Sequence, residues 1–326
     1  MNSLFKWIAG SGLLLAGAFS SPNAVLAQQT AYPNKPIRLL SCCTGFPENV
    51  SRVLAQAMQE QLNNHSVVVE TRAGANGIIA AQYVATQPPD GYTIFIGTNS
   101  THAANQSLYK KLPYDYVKDF QPLAGVARGA LQIVTRADIP ANNIAELTAL
   151  IRQSPGKFSY GYGSSSAQVA IELYKLIESL QITPVPYKTN PQVTLDLLGG
   201  RIDIAANVAT EYTQHIKAGK LRSMGTTGST RLKSLPDVPT LKEAGVKDYE
   251  LTFWNAAYLP AGVPPALLSR VNEIFVNALK HPKVVTFLEN SLTESFAQDP
   301  AELARFQVQE HDKWKMVLKA AGVEPQ

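Results

Sequence analysis

Three consecutive hydroxyl side chains, Ser164-Ser165-Ser166, lie between a β-rich run at 157–161 and an amphipathic stretch at 167–180. Small polar residues at such a junction can do two kinds of chemistry. One serine can act as a nucleophile, or the hydroxyls and the first backbone N–H groups of the helix can hold an anion. A second segment repeats the layout. Lys35-Pro36-Ile37-Arg38-Leu39-Leu40 runs into a short loop at 43–48 and an amphipathic stretch at 49–62. The start of a helix leaves N–H groups unpaired and carries a partial positive charge. Two such starts far apart in the chain predict two lobes gripping one acidic ligand.

The nucleophilic alternative is a serine esterase. Ser165 in Gly163-Ser164-Ser165-Ser166-Ala167 sits like the serine of a degenerate nucleophile elbow and would need a partner such as His215, His281 or His311. The final glycine of the elbow is replaced, and no His-Gly-Gly-Gly segment accompanies it. The reading is therefore a binding protein, not an enzyme. A dinucleotide is disfavoured because Gly161-x-Gly163-x-x-Ser166 lacks its third glycine and the strand at 182–186 brings no acid for a ribose. The five histidines show no metal-ligand spacing, so neither cofactor nor metal is expected. The only cysteines, Cys42 and Cys43, are neighbours. They read as two small buried residues at a strand end, or as a strained, redox-sensitive loop beside the ligand.

These segments need a scaffold, and the periodicity supplies one. Strand-like runs at 36–42, 66–71 and 92–98 alternate with helical ones at 49–62 and 77–86. A second set follows, with strands at 131–135, 157–161, 182–186, 202–206 and 221–226. Helices are expected between them at 144–152, 167–180 and 191–198, and after the strand at 202–206 to about 218. The order implies α/β lobes, each a mostly parallel sheet flanked by helices. After a strand at 249–259, three helices near 265–280, 282–290 and 300–321 are expected to pack back on the first lobe, with a possible short strand at 293–296. The chain would then cross between lobes near 125–130 and 250–256, making a hinge. The expected division is 28–127 with 253–326 as lobe 1, and 128–252 as lobe 2. Residues 1–27, with Lys6, an apolar run at 8–19 and Val25-Leu26-Ala27, have the layout of an export signal peptide, which predicts a periplasmic protein. Net charge is +4 with Lys and Arg dispersed, so nucleic acid is not an expected partner.

The chain resembles the Bug-type periplasmic receptors of tripartite tricarboxylate transporters. The resemblance is carried by Tyr32-Pro33-Asn34-Lys35-Pro36-Ile37-Arg38-Leu39, Pro88-Pro89-Asp90-Gly91-Tyr92-Thr93 and Gly97-Thr98-Asn99-Ser100-Thr101-His102. Further on, Asp196-Leu197-Leu198-Gly199-Gly200, Ala218-Gly219-Lys220-Leu221-Arg222 and Leu235-Pro236-Asp237-Val238-Pro239-Thr240 continue it. It implies a Venus-flytrap fold and a small organic acid or amino acid as ligand. It implies a monomer that delivers to membrane transporter subunits, or alternatively reports to a sensor protein. The family's first ligand loop usually reads Pro-Phe-x-Pro-Gly-Gly-x-x-Asp. Here Ser41-Cys42-Cys43-Thr44-Gly45-Phe46-Pro47-Glu48-Asn49 is shorter and lacks a glycine. The implied ligand set is Thr44, Gly45, Phe46 and Glu48 from that loop, and Thr98, Asn99, Thr101 and His102 after the third strand. Lobe 2 adds Ser164, Ser165, Ser166, Ala167 and Gln168, with Tyr187 and Asn207 at strand ends. Each has a plainer alternative: the serines as a helix cap, His102 as a structural residue, Glu48 as a first-turn acid facing water, and Trp254 as hinge packing.

Overall fold

β-branched runs alternating with amphipathic ones fold as alternating strands and helices. β1 (Ile37–Ser41), α1 (Phe46–Gln61), β2 (Val67–Thr71), α2 (Ile78–Ala85) and β3 (Thr93–Thr98) come first. β1 pairs parallel with both β2 and β3, setting Leu39 opposite Val69 and Ile94. α1 buries Val50, Leu54, Ala57 and Met58, which helical spacing puts on one face. A π-turn (Ser100–Ala104) and α3 (Asn105–Leu108) lead into the long β4 (Phe120–Arg136). This computed structural model describes residues 32–232, 235–297, 299–320 and 322–325. The expected export segment at 1–27 lies outside them.

A second α/β set follows: α4 (Ile144–Gln153), β5 (Phe158–Tyr162), α5 (Ser165–Glu178), β6 (Ile182–Pro186), α6 (Asn190–Leu198), β7 (Ile204–Val208), α7 (Ala209–Lys217) and β8 (Leu221–Thr226). Asn143 caps α4 by accepting from the Glu146 N–H at 2.9 Å, the role its position predicts. β5 pairs parallel with β6 and β7. The chain returns through β9 (Thr252–Pro260) and ends in α8 (Pro265–Leu279), α9 (Pro282–Asn290), the short β10 (Thr293–Glu294) and α10 (Pro300–Ala320).

The strand order is β2-β1-β3-β9-β4-β7-β5-β6, with β8 and β10 also on β4. Strands inside each set are parallel, whereas β9 and β4 join the sets through antiparallel pairs. β4 is the shared strand. Its first part, to Ala130, pairs with β9, and from Leu131 onward it pairs with β7 and β8. The periodicity predicts a strand only over 131–135; the residues before it include Pro122, Gly125 and Gly129, which are poor strand residues. The structure accommodates them with register shifts between Pro122 and Ala124 and between Gly125 and Ala127. Gly125 is required there: a Cβ would meet the Phe296 carbonyl oxygen at 2.1 Å.

The C-terminal helices cover the first set as expected. α8 and α9 lie against α1, and α10 lies against the π-turn, α3 and β4. α10 also touches α5 of the second set. Its buried Glu310 accepts from the indoles of Trp254 (2.9 Å) and Trp314 (3.1 Å), so Trp254 is packed beneath α10.

Candidate functional site

The C-terminal ends of β1, β3, β5 and β7 open on one cavity of about 130 Å3. In open α/β sheets this end of the strands is where ligands bind. Four helices begin at its wall. α1 starts with Phe46 and Pro47, three residues earlier than expected, because proline fits a first helical turn. Its N-cap, Gly45, provides no side-chain cap. α5 starts at Ser165, capped by Ser164 Oγ, which accepts from the Ala167 N–H at 3.3 Å. α6 and α7 start at Asn190 and Ala209, and neither has a side-chain cap.

Asn190 organises the second-lobe wall. Its Oδ1 accepts from the Gly163 N–H (3.2 Å), and its Nδ2 donates to Asn207 Oδ1 (3.3 Å) and Ser164 Oγ (3.5 Å). Asn207 Oδ1 also accepts from the Val208 N–H at 2.8 Å, which fixes the amide. Gly163 permits this approach, since a Cβ there would sit 2.3 Å from the Thr189 carbonyl carbon. Ser166 Oγ lies 3.2 Å from Ser164 Oγ.

The facing wall comes from the first lobe. Thr98 Oγ1 accepts from the Ser100 N–H at 3.2 Å and closes the turn after β3. Asn99 and Asn255 are both buried and both line the cavity. Asn99 Nδ2 and Asn255 Oδ1 have no hydrogen-bond partner among the described residues. Phe46 stands edge-on to Phe253 with ring centres 5.8 Å apart, giving the wall an apolar strip. Lys188 and Glu211 are the charged side chains on the lining, and neither forms an ion pair among the described residues.

Of the candidates read from the sequence, the structure gathers Thr44, Gly45, Phe46, Thr98, Asn99, Ser164, Ser166 and Asn207 around this cavity. The others lie elsewhere. Glu48 pairs with Arg52 one helical turn on. Thr101 is buried, and its hydroxyl donates to the Thr98 carbonyl at 3.0 Å. His102 is stacked on Tyr258 with ring centres 3.7 Å apart, and burial pushes its pKa down to about 3. Ser165, Ala167 and Gln168 are buried in α5, and Ser165 Oγ has no partner among the described residues, histidines included. Tyr187 donates to Asp196 at 2.8 Å.

Asn190, Asn255 and Glu211 were missed. A signal existed for Asn190: Thr189-Asn190-Pro191 is a polar residue pair ahead of a first-turn proline, a helix-start pattern following a strand. Asn255 sits inside a strand run, where nothing local distinguishes it. Glu211 looks like any first-turn acid.

Two α/β lobes joined by shared strands, with helix starts turned on the cavity between them, define a solute-binding receptor. The chain belongs to the tripartite tricarboxylate transporter receptor family, which it matches over residues 50–323. It is 31% identical over 99% of its length to a UPF0065 protein of Bordetella pertussis, covering 99% of that protein. Among solved structures it is similar to R. palustris Rpa4515 with adipate (TM-score 0.85, 30% identity, 90% of this chain and 100% of that one). It is also similar to the periplasmic binding protein BugD (TM-score 0.82, 29% identity, 90% of this chain and 100% of that one). The fold is therefore that of the two-lobed periplasmic binding proteins of the Bug type.

Proposed function

We propose that this chain is exported through its 1–27 segment and captures a small carboxylate-bearing solute in this cavity. It then hands the solute, as a monomer, to the membrane subunits of a tripartite transporter. The observation that carries the reading is the convergence of α1, α5, α6 and α7 on one cavity. A helix start favours an anion by about 0.3–1 kcal/mol when exposed and by up to about 2 when partly buried. Micromolar binding needs roughly 8 kcal/mol. Four starts reach that only at the top of their range, so hydrogen bonds to the charged group, about 1.5–3 kcal/mol each, supply the rest. Ser164, Ser166, Thr98 and Asn99 are the side-chain donors. Such bonds strengthen when water is excluded, which calls for closure of 28–127 plus 253–326 on 128–252, hinged where β4 changes partners after Ala130 and where β9 begins.

Lys188 and Glu211 narrow the ligand class. Adipate in the R. palustris relative supports a carboxylate. A carboxylate on the wall, Glu211, repels a second anionic group and attracts an ammonium. A solute carrying one carboxylate and one ammonium suits both charges, and that is the amino-acid class. A thermal-shift screen of dicarboxylates, tricarboxylates and amino acids tests this, because a ligand at about 100 times its Kd adds about 2.7 kcal/mol to folded-state stability. An amino acid is expected to raise Tm more than a dicarboxylate of equal length, and Glu211→Gln to reverse that order. A panel in which no carboxylate raises Tm overturns the receptor reading. An order left unchanged by Glu211→Gln overturns the role of Glu211.

A further inference from the structure

The two cysteines meet at the wall of the cavity. Cys42 directly follows β1 and is fully buried, its Sγ 4.0 Å from Thr98 Oγ1. Cys43 is half-buried and lines the cavity. Both are free thiols, and their sulfurs are 2.9 Å apart. The turn that presents them is pinned: Ser41 Oγ donates to the Cys43 carbonyl at 2.8 Å. Two residues further on is Gly45, the N-cap of α1. A shift of the 42–43 peptide is therefore passed directly to one of the four helix starts.

We propose that Cys42 and Cys43 are a redox modification site, closing to a reversible vicinal disulfide by exchange with a small-molecule or protein disulfide. Chains in the oxidising periplasm meet such oxidants. In the first step the Cys43 thiolate, which faces the open cavity, attacks one sulfur of the incoming disulfide. That S–S bond breaks, one thiolate leaves and takes up a proton, and a mixed disulfide forms on Cys43. In the second step Cys42 gives up its proton and attacks Cys43 Sγ, releasing the second thiol. The two protein thiols are oxidised together, and the donor disulfide is reduced to two thiols. Burial raises the Cys42 thiol well above its usual range, so the cavity-facing Cys43 rather than Cys42 makes the first attack.

The ring would be easily reopened. Neighbouring Cα atoms across a trans peptide are about 3.8 Å apart, below the roughly 4.4–6.8 Å of ordinary disulfides. Strained disulfides are the labile ones. The site is thus a switch rather than a staple, and its closure pulls the 42–45 turn away from its reduced geometry and weakens binding. Only that last consequence rests on the receptor reading.

The test uses the full mature chain treated with oxidised glutathione, then with dithiothreitol. Intact mass is expected to fall by two hydrogens, maleimide labelling of both cysteines to disappear, and dithiothreitol to restore both. Cys42→Ala is expected to stop at a glutathione adduct on Cys43. An unchanged mass, adducts alone in the unmodified sequence, or disulfide-linked dimers would overturn the site. Titration with adipate and with glutamate is expected to give about tenfold weaker binding in the oxidised form, restored by dithiothreitol. Equal affinities in both states overturn the switch while leaving the disulfide standing. Absence of binding of both probes in both states overturns the switch, the thermal-shift panel decides the receptor reading, and the mass data still decide the disulfide.

Discussion

Asn99, just past the end of β3, and Asn255, on the antiparallel β9, reach the same cavity, and each keeps one buried amide atom without a partner among the described residues. Asn255 lies opposite Thr98 in the β3–β9 pairing, and Asn99 follows Thr98 directly. Asn99 Oδ1 accepts from the Trp254 N–H at 3.5 Å, so its Nδ2 is the atom left over. One residue thus offers a donor and the other an acceptor. A buried polar atom left unsatisfied costs about 1–3 kcal/mol, so both positions hold strain that a ligand would relieve.

That asymmetry sets opposite outcomes for two similar substitutions. Asn255→Leu removes an unpaired acceptor, and the unliganded protein is expected to be as stable as the wild type or more so. Asn99→Leu also takes away the acceptor of the Trp254 N–H and is expected to cost about 1–3 kcal/mol. Both should weaken ligand binding. Urea denaturation without ligand separates the two; equal destabilisation would mean that the Asn255 carbonyl serves the fold, not a ligand.

His102 gives the protein a specific acid sensitivity. Burial holds its pKa near 3 in the folded state, against about 6.5 in the unfolded chain. Between those values the unfolded chain binds a proton that the folded chain does not. Stability is therefore complete above the unfolded value and falls as pH drops through this window, by up to about 1.4 kcal/mol per pH unit. Denaturation midpoints between about pH 6.5 and 5, above most carboxylate titrations, are expected to decline less steeply in His102→Gln, by close to one proton. Parallel slopes would refute the assignment.

Glu310 fastens α10 to the strand that returns between the lobes. Glu310→Ala leaves the indole N–H groups of Trp254 and Trp314 buried without their acceptor. A loss of about 2–6 kcal/mol is expected, one desolvation cost of about 1–3 kcal/mol for each donor. Guanidinium unfolding followed by tryptophan fluorescence measures it directly. A cost under about 1 kcal/mol would mean that water reaches both indoles.

Much of the scaffold was legible because its signals are local. The expected strands at 66–71, 92–98 and 221–226 match β2, β3 and β8 to within a residue, and the helices at 144–152 and 282–290 match α4 and α9 similarly. Period and capping chemistry act within a few residues, so a linear reading recovers them. The first half of β4 was not legible, because Pro122, Gly125 and Gly129 are tolerated only where β9 and the Phe296 backbone lie alongside. His102 and Asn99, three residues apart, look equally suited to a cleft. One is stacked in the core and the other opens on the cavity, a difference made by the π-turn after β3.

The amino-acid order by itself determined the alternation of strands and helices, the serine-capped start of α5 and the family to which the chain belongs. Tertiary structure alone decided which side chains share the cavity. Asn190, Asn207 and Asn255 come from α6, β7 and β9, and Glu211 from α7. Helical and strand periodicity is written in short-range sterics and hydrogen bonding, but a binding wall depends on which strand ends the sheet pairing brings side by side. That pairing is a property of the whole packed chain, and no window of neighbouring residues contains it.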